Sequence, residues 1–257
     1  MSYEALSIAN TIRSFLGGVP QLLCLDIDGV LTVSRNSYLI DLEVIEMLRR
    51  VYSMGIEICL ATANAYPIAR SLSRYLGFET AVIAENGCIV DVRGKVIHLT
   101  DASARQAAKD VAERYGLEES WQNLYRHHDF ALKIPRDVGE AEVMKLVNEV
   151  NSYVANRYPG LRVRYSGYAL HIYPEGCDKG VALKRVVEEL GLDISRTVAV
   201  GDSKVDIEML RVAGVGVAVG DADEEAKRVA RIVLPGTASR STKLLLEAIA
   251  LLLLGYG

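Results

Sequence analysis

A run of four apolar residues, Leu22-Leu23-Cys24-Leu25, stops abruptly at Asp26. A segment apolar at every position cannot show one face to water, so it reads as a strand buried on both faces. Such strands belong to parallel sheets covered by helices. The chain then repeats the pattern. Leu42, Ile45, Leu48, Val51 and Tyr52 share one side of a helix that ends at Gly55. Ile56 to Thr62 is a second buried strand, residues 67–76 a helix closed by Gly77, and Ala81 to Ala84 a third strand. This alternation predicts right-handed crossovers and an α/β fold with a doubly wound parallel sheet.

After residue 86 the pattern changes. Cys88 to Leu99 reads as a hairpin turning at Arg93-Gly94, followed by a helix near 103–115, a strand near 124–134 and a helix near 138–157. Strands at 161–165 and 168–173 join through Ser166-Gly167, a two-residue hairpin signal. Hairpins mixed with helices predict an α+β module with an antiparallel sheet. From Gly176 the earlier pattern resumes, with helices at 179–190, 205–213 and 222–230, strands at 197–201, 215–219 and 232–234, and a terminal helix. The expected organisation is one α/β domain, residues 1–86 and 176–257, interrupted by an α+β module at 87–175.

Composition narrows the function classes. Half of the 257 residues are hydrophobic and 24% are charged, which excludes a disordered or fibrous chain. A net charge of −4 provides no global field for nucleic acid. Cys24, Cys59, Cys88 and Cys177 contain no Cys-x-x-Cys pair and are too few for a disulfide framework; Cys24 and Cys59 read as small core hydrophobes. The first twenty residues lack a basic leader, and Ile8, Ile12, Phe15 and Leu16 form an amphipathic helix. Leu244 to Leu254 is apolar but about half the length of a membrane span. It reads as a core-packing helix, with a homodimer face or a membrane-surface helix as the alternative. A cytoplasmic protein without membrane or nucleic-acid partners is expected.

In an open parallel sheet, ligands bind beyond the carboxyl ends of the strands. Strand one ends in Asp26-Ile27-Asp28-Gly29-Val30-Leu31-Thr32 and strand two in Thr62-Ala63-Asn64. The helix after the interruption opens at Asp178-Lys179-Gly180, and the next strand ends in Gly201-Asp202-Ser203-Lys204-Val205-Asp206. Four acids, a hydroxyl and a lysine therefore gather at one sheet edge. Clustered carboxylates resist joint ionisation unless a cation sits among them, and an all-oxygen donor set selects Mg²⁺. The lysine and the Thr62 and Asn64 donors suit a phosphate. A carboxylate nucleophile with a second acid two residues along suits phosphoryl transfer through an aspartyl-phosphate.

Each motif alone has a plainer reading. Loops are rich in Asp, Asp202 and Asp206 suit a helix start, and a lone Lys179 reads as a surface lysine. The conjunction, in order along the chain, is what carries the chemistry. The glycines from Gly214 to Gly220 lie within a strand and lack the spacing of a dinucleotide loop. His127 and His128, beside Arg126, read as exposed polarity; a grip on the substrate by them, Arg164 or His171 is the alternative. Trp121 reads as a packing anchor.

These motifs resemble the haloacid-dehalogenase-like hydrolase superfamily, whose core is Rossmann-like. The resemblance implies Asp26 as nucleophile and Asp28 as general acid/base. It implies Thr62, Ala63, Asn64 and Lys179 as phosphate-binding residues, and Mg²⁺ held by Asp26, Asp28 and Asp202 with Asp206 in support. The interruption falls where the type-two branch inserts its cap domain, and Glu85-Asn86-Gly87 and Val217 to Lys227 are similar to that branch's signatures. Thr62-Ala63-Asn64-Ala65-Tyr66-Pro67 resembles the archaeal phosphoglycolate phosphatases within it. The expected activity is hydrolysis of a small phosphorylated metabolite, 2-phosphoglycolate first, with sugar phosphates next. A phospho-accepting signalling domain would carry its acid after the third strand, where this chain has Ala84-Glu85-Asn86. An idle ligand-binding homologue would not need the intact acid set.

Overall fold

The computed structural model describes residues 2–135 and 139–256. In chain order the first part runs α1 (Tyr3–Leu16), β1 (Leu22–Asp26), α2 (Leu42–Ser53), β2 (Glu57–Ala61), α3 (Tyr66–Leu76), β3 (Ala81–Ala84), β4 (Ile89–Val92) and β5 (Lys95–His98). The middle part is α4 (Arg105–Tyr115), β6 (Glu118–Glu119), β7 (Phe130–Lys133), α5 (Glu140–Arg157), β8 (Leu161–Tyr165) and β9 (Ala169–Pro174). The last part is α6 (Lys179–Leu190), β10 (Thr197–Gly201), α7 (Ile207–Val212), β11 (Val215–Ala218), α8 (Glu224–Val229), β12 (Ile232–Val233) and α9 (Ala238–Leu253). Residue 138, the expected start of α5, lies outside the described residues.

Eight strands form the main sheet in the order β12-β11-β10-β1-β2-β3-β4-β5. β12 through β3 are parallel, and β1, central and fully buried, pairs with β10 and β2. Helices flank the sheet: α1 and α2 each pack against α9, and α6 packs against α7. The apolar terminal helix is thus core packing. Its Leu245, Leu246, Ile249 and Leu252 are buried, and Glu247 accepts a hydrogen bond from the Ser2 amide at 3.1 Å. Phe15 and Leu42 miss the buried faces assigned to them, at 45% and 77% exposure. No helix among the described residues is long and apolar enough to cross a membrane.

The hairpin β4–β5 forms where expected but does not belong to the inserted module. β4 pairs antiparallel with β3 (Ala81 opposite Val92, Ala84 opposite Ile89), so the hairpin extends the main sheet. Antiparallel character is a local property of a hairpin and says nothing about which sheet it joins. The second sheet, in the order β6-β7-β9-β8, is wholly antiparallel and shares its own apolar cluster with α4 and α5, including Val111, Phe130, Leu132, Val150, Val154 and Ile172. Its β8–β9 connection has three residues, 166–168, rather than two.

Two cysteines pair without any mark in the sequence. Cys88 and Cys177 form a disulfide between the residue before β4 and the segment that leads from the middle part into α6, while Cys24 and Cys59 are free and buried as expected. Counting cysteines could not reveal this, because one isolated bridge needs only proximity, supplied by strand β4 lying beside the start of α6. The bridge closes a loop spanning 89 positions. By loop-closure entropy such a bond contributes at most ~4–5 kcal/mol. Cys88→Ser is expected to lower the melting temperature by roughly 10 °C. Calorimetry with and without dithiothreitol checks this, and wild-type melting that is indifferent to reductant counts against the bridge.

Candidate active site

β1 delivers Asp26 to the carboxyl edge of the sheet, and the neighbouring strand β10 delivers Asp202. Between them lies Lys179, the first residue of α6 and only 1% exposed. Its Nζ donates to Asp26 Oδ1 at 2.5 Å and to Asp206 Oδ1 at 2.6 Å. The lone-residue reading of a solvated lysine is therefore wrong. Burial alone would lower its proton affinity, but the two carboxylates more than reverse this, and its pKa lies above the usual range.

The acids show the opposite pattern. Burial pushes the Asp26 pKa well up; Lys179 opposes this, and Asp206, Asp202 and Asp28 add repulsion. Asp28 is also raised by burial, against Lys179 and a hydrogen bond from Asn64. Burial and Asp206 push Asp202 up to about 7, even though Arg35 Nε donates to its Oδ2 at 2.6 Å. Asp206 has another task. Its Oδ2 accepts from the amides of Asp202 (3.1 Å) and Ser203 (3.0 Å) and from the Ser203 hydroxyl, so it fixes the loop that carries Asp202.

Three carboxylates, from Asp26, Asp202 and Asp206, offer oxygens within 4.8 Å of one another. Four acids face two cations, Lys179 and Arg35, and Arg35 is shared with Asp223, so the acids are incompletely compensated by the chain's own cations. Uncompensated buried charge is costly, and clustered hard oxygen donors suit a divalent cation. The residues fit such an ion.

Thr62 is fully buried just after β2. Its Oγ1 accepts from the Asn64 amide at 3.1 Å and from Asn64 Nδ2 at 2.9 Å, which tightens the turn. Ala63 is outside the left-handed region, so its methyl group imposes no strain there. Glu85 and Asn86, by contrast, do adopt left-handed backbone, with φ of 50° and 54°, followed by Gly87 at 100°. Their amides donate to Asn64 O (3.0 Å) and Thr62 O (3.2 Å). The Glu85 carboxylate accepts from the backbone amides of His127, His128 and Asp129 at 2.8–3.2 Å. A side chain on Gly87 would collide with the Asp178 carbonyl.

A cleft of about 570 Å³ lies between the sheet edge and the second sheet. Asp26, Asp28, Ala63, Asn64 and Asp202 line its floor, whereas Thr62, Lys179 and Asp206 lie beneath. The opposite wall brings in Trp121, Gln122, Arg126, Lys133, Tyr168 and His171. Trp121 is 60% exposed, a cleft residue and not a packing anchor. His128 is buried and not exposed, its Nδ1 beside Ala102 O at 2.6 Å and its Nε2 beside His98 Nδ1 at 2.6 Å. Arg164 stacks on Tyr173, outside the cleft lining. Sequence reasoning missed Arg35, Gln122 and Tyr168. Gln122 donates to Asn64 Oδ1 (2.7 Å) and accepts from the Ala65 amide (2.8 Å), while the Tyr168 hydroxyl donates to the Arg35 carbonyl. A polar residue in a loop carries no mark of a contact made 58 or 133 positions away.

The family model for haloacid dehalogenase-like hydrolases matches residues 23–118 and 117–241. The chain belongs to this family. It is 40% identical over 235 residues to a phosphoglycolate phosphatase of Pyrobaculum neutrophilum, covering 91% of this chain and 96% of that one. It is 39% identical over 218 residues to one of Staphylothermus marinus, covering 83% and 90%. Among solved structures, Thermoplasma acidophilum 0175 superposes with a TM-score of 0.79 at 23% identity, covering 91% of this chain and 99% of that one.

The raised acids set a direction for pH dependence. Asp202 ordinarily titrates near 3.8 and in the folded chain near 7, so between these values the folded state holds more protons than the unfolded one. Its contribution to stability therefore falls as pH rises through this interval. Without divalent ions, the wild type is expected to lose melting temperature relative to Asp202→Asn between pH 5 and 8. Added MgCl₂ is expected to restore it at pH 8 and to act less at pH 5, where protons compete. Thermal melts of both proteins across this range check it.

Proposed function

We propose that the chain is a Mg²⁺-dependent phosphatase of small phosphate monoesters, with 2-phosphoglycolate as its substrate. The observation that carries this reading is the placement of Asp26 and Asp28 together on the floor of a closed-over cleft, with Asp26 held against a buried ammonium group. The names of the phosphoglycolate phosphatases to which the chain is similar support the choice of substrate.

In this reading the Asp26 carboxylate attacks phosphorus, the bond to the leaving oxygen breaks, and an acyl phosphate forms on Asp26. Asp28 donates its proton to the leaving oxygen, a role its raised pKa suits. Water then attacks phosphorus, Asp28 takes up its proton, and Asp26 is regenerated as phosphate departs. Lys179 orients the nucleophile and neutralises its charge. Thr62, Ala63 and Asn64 supply donors to the phosphate oxygens. The Asp26 and Asp202 carboxylates and the Asp28 carbonyl would hold the ion, with Asp206 fixing the loop. Bound there, a divalent cation neutralises charge on the phosphoryl oxygens.

The division into working parts follows the two sheets. Residues 1–99 and 176–257 form the core that carries the acids, and residues 100–175 act as a cap that closes over the cleft and excludes water. This shifts the expected boundary from 87 to the end of the β5 hairpin.

Asp26→Asn is expected to fold with little change in melting temperature and to lose turnover by at least roughly 10⁴-fold. EDTA is expected to abolish wild-type activity, and excess Mg²⁺ to restore it. Phosphate release across a panel of metabolites, with and without divalent ions, is the deciding measurement. An Asp26→Asn protein with wild-type rate would refute the nucleophile assignment. A sugar phosphate turned over faster than 2-phosphoglycolate would replace the substrate and leave the chemistry standing.

A further inference from the structure

The cleft contains a cation that the chemistry of phosphoryl transfer does not use. Arg126 lies in the loop before β7, in the wall facing the acids, and is 4% exposed. Its five N–H donors are poorly met. Nη1 donates to Asp129 O at 3.3 Å and Nη2 to Gln122 Oε1 at 3.4 Å, both long. Nε is buried without a partner. The nearest carboxylate, Asp129, approaches Nη1 only to 3.8 Å. That carboxylate is directed elsewhere, towards His171 Nδ1 at 2.8 and 3.0 Å and Asn86 Nδ2 at 2.6 Å. A buried guanidinium held this loosely is poised for an anion that the chain itself does not supply.

The other cations around the cleft are already paired. Arg35 engages Asp202 and Asp223, Lys133 engages Glu118, and Lys179, beneath the floor, engages Asp26 and Asp206. Position also favours Arg126. Gln122 joins it to Asn64, and Asn64 in turn reaches Asp28. One side chain therefore separates Arg126 from the loop that faces the phosphate, a spacing suited to a substrate with only a short carbon unit between its two anionic ends. His171 lines the same wall; with Nδ1 turned to Asp129, Nε2 is the ring nitrogen left to face a ligand.

We propose that Arg126, supported by His171, binds the carboxylate of the substrate's leaving group and so selects short phosphorylated carboxylic acids over neutral phosphate esters. This rests on the phosphatase reading above and adds a specificity site to it. Asp129 and Asn86 then act as positioning residues, holding His171 and preventing Asp129 from closing fully on Arg126.

The test compares wild type, Arg126→Gln and Arg126→Lys on 2-phosphoglycolate and on ethyl phosphate, which has a two-carbon leaving group without the carboxylate. Arg126→Gln is expected to lower kcat/KM for 2-phosphoglycolate by roughly 10- to 100-fold, mainly through KM, as for a lost hydrogen bond to a charged group. For ethyl phosphate the change is expected to stay within about threefold, with Arg126→Lys between wild type and Arg126→Gln on 2-phosphoglycolate. Glycolate is expected to inhibit ethyl phosphate hydrolysis by wild type competitively, and this inhibition to weaken in Arg126→Gln. Equal losses on both esters, or unchanged glycolate inhibition, overturn the carboxylate site, as does a wild type that does not distinguish the two esters. Wild type that turns over neither ester overturns the phosphatase reading and this site with it. Melting temperatures of the variants separate a folding defect from a binding one, and Arg126→Lys keeps the comparison decisive if Arg126→Gln does not fold.

Discussion

The ion contact between Lys179 and the two carboxylates Asp26 and Asp206 is the interaction on which the site depends. Without a cation at that point, strands β1 and β10 would bring several acids together in a buried place with nothing to offset their repulsion. The contact also spans the chain, since it joins residues 153 and 27 positions apart. One ammonium thus ties the end of β1, the start of α6 and the loop after β10. The compensation is deliberately incomplete in a chemical sense: Asp26, Asp28 and Asp202 all keep raised proton affinities. A site fully neutralised by its own side chains would have no reason to take up a divalent ion or a phosphate.

A second constraint is backbone geometry at Glu85-Asn86-Gly87. Left-handed conformation at two residues that bear side chains is unfavourable, and here it is held by hydrogen bonds on every side. The turn does three things at once. Its amides bind the loop 62–64, its Glu85 carboxylate grips the amides of 127–129, and Gly87 lets the Asp178 carbonyl approach closely, which positions Lys179. The floor and the opposite wall of the cleft are therefore referenced to the same three residues. The Cys88–Cys177 bridge begins one residue later and ties the start of β4 to the segment that returns from the middle part.

Much of this was legible in the sequence because the relevant signals are local. A strand buried on both faces must be apolar throughout, so Leu22 to Leu25 announced β1, and the abrupt Asp26 announced its functional end. Asp28, Thr62, Asn64 and Asp202 could be placed at one edge because parallel topology puts all carboxyl ends on the same side. What escaped were relations between distant segments. The β4–β5 hairpin was read correctly as a hairpin, but which sheet it joins is decided by β3, whose open edge the hairpin itself could not reveal. The pairing of Cys88 with Cys177 carries no local mark, since it depends on the fold bringing distant segments together. Trp121 and His128 were misjudged on burial, because their type alone favours an environment that the cleft and its neighbours override.

The same logic explains how the two sheets divide the chemistry. The residues proposed to handle phosphate come from the ends of parallel strands, whose backbones are fixed by neighbours on both sides. Residues that face the rest of the substrate come from the loop 121–129 and from β9, attached to the core through Glu85 and through Gln122 on Asn64. If that wall closes on the core as proposed, a cation in it would reach the substrate only when the wall is seated, and recognition of the leaving group and exclusion of water would become one event. Ethyl phosphate and 2-phosphoglycolate would meet the same acids, but only the second would give the wall an anion to close upon. On the proposed reading, selectivity would then arise from the wall and turnover from the floor.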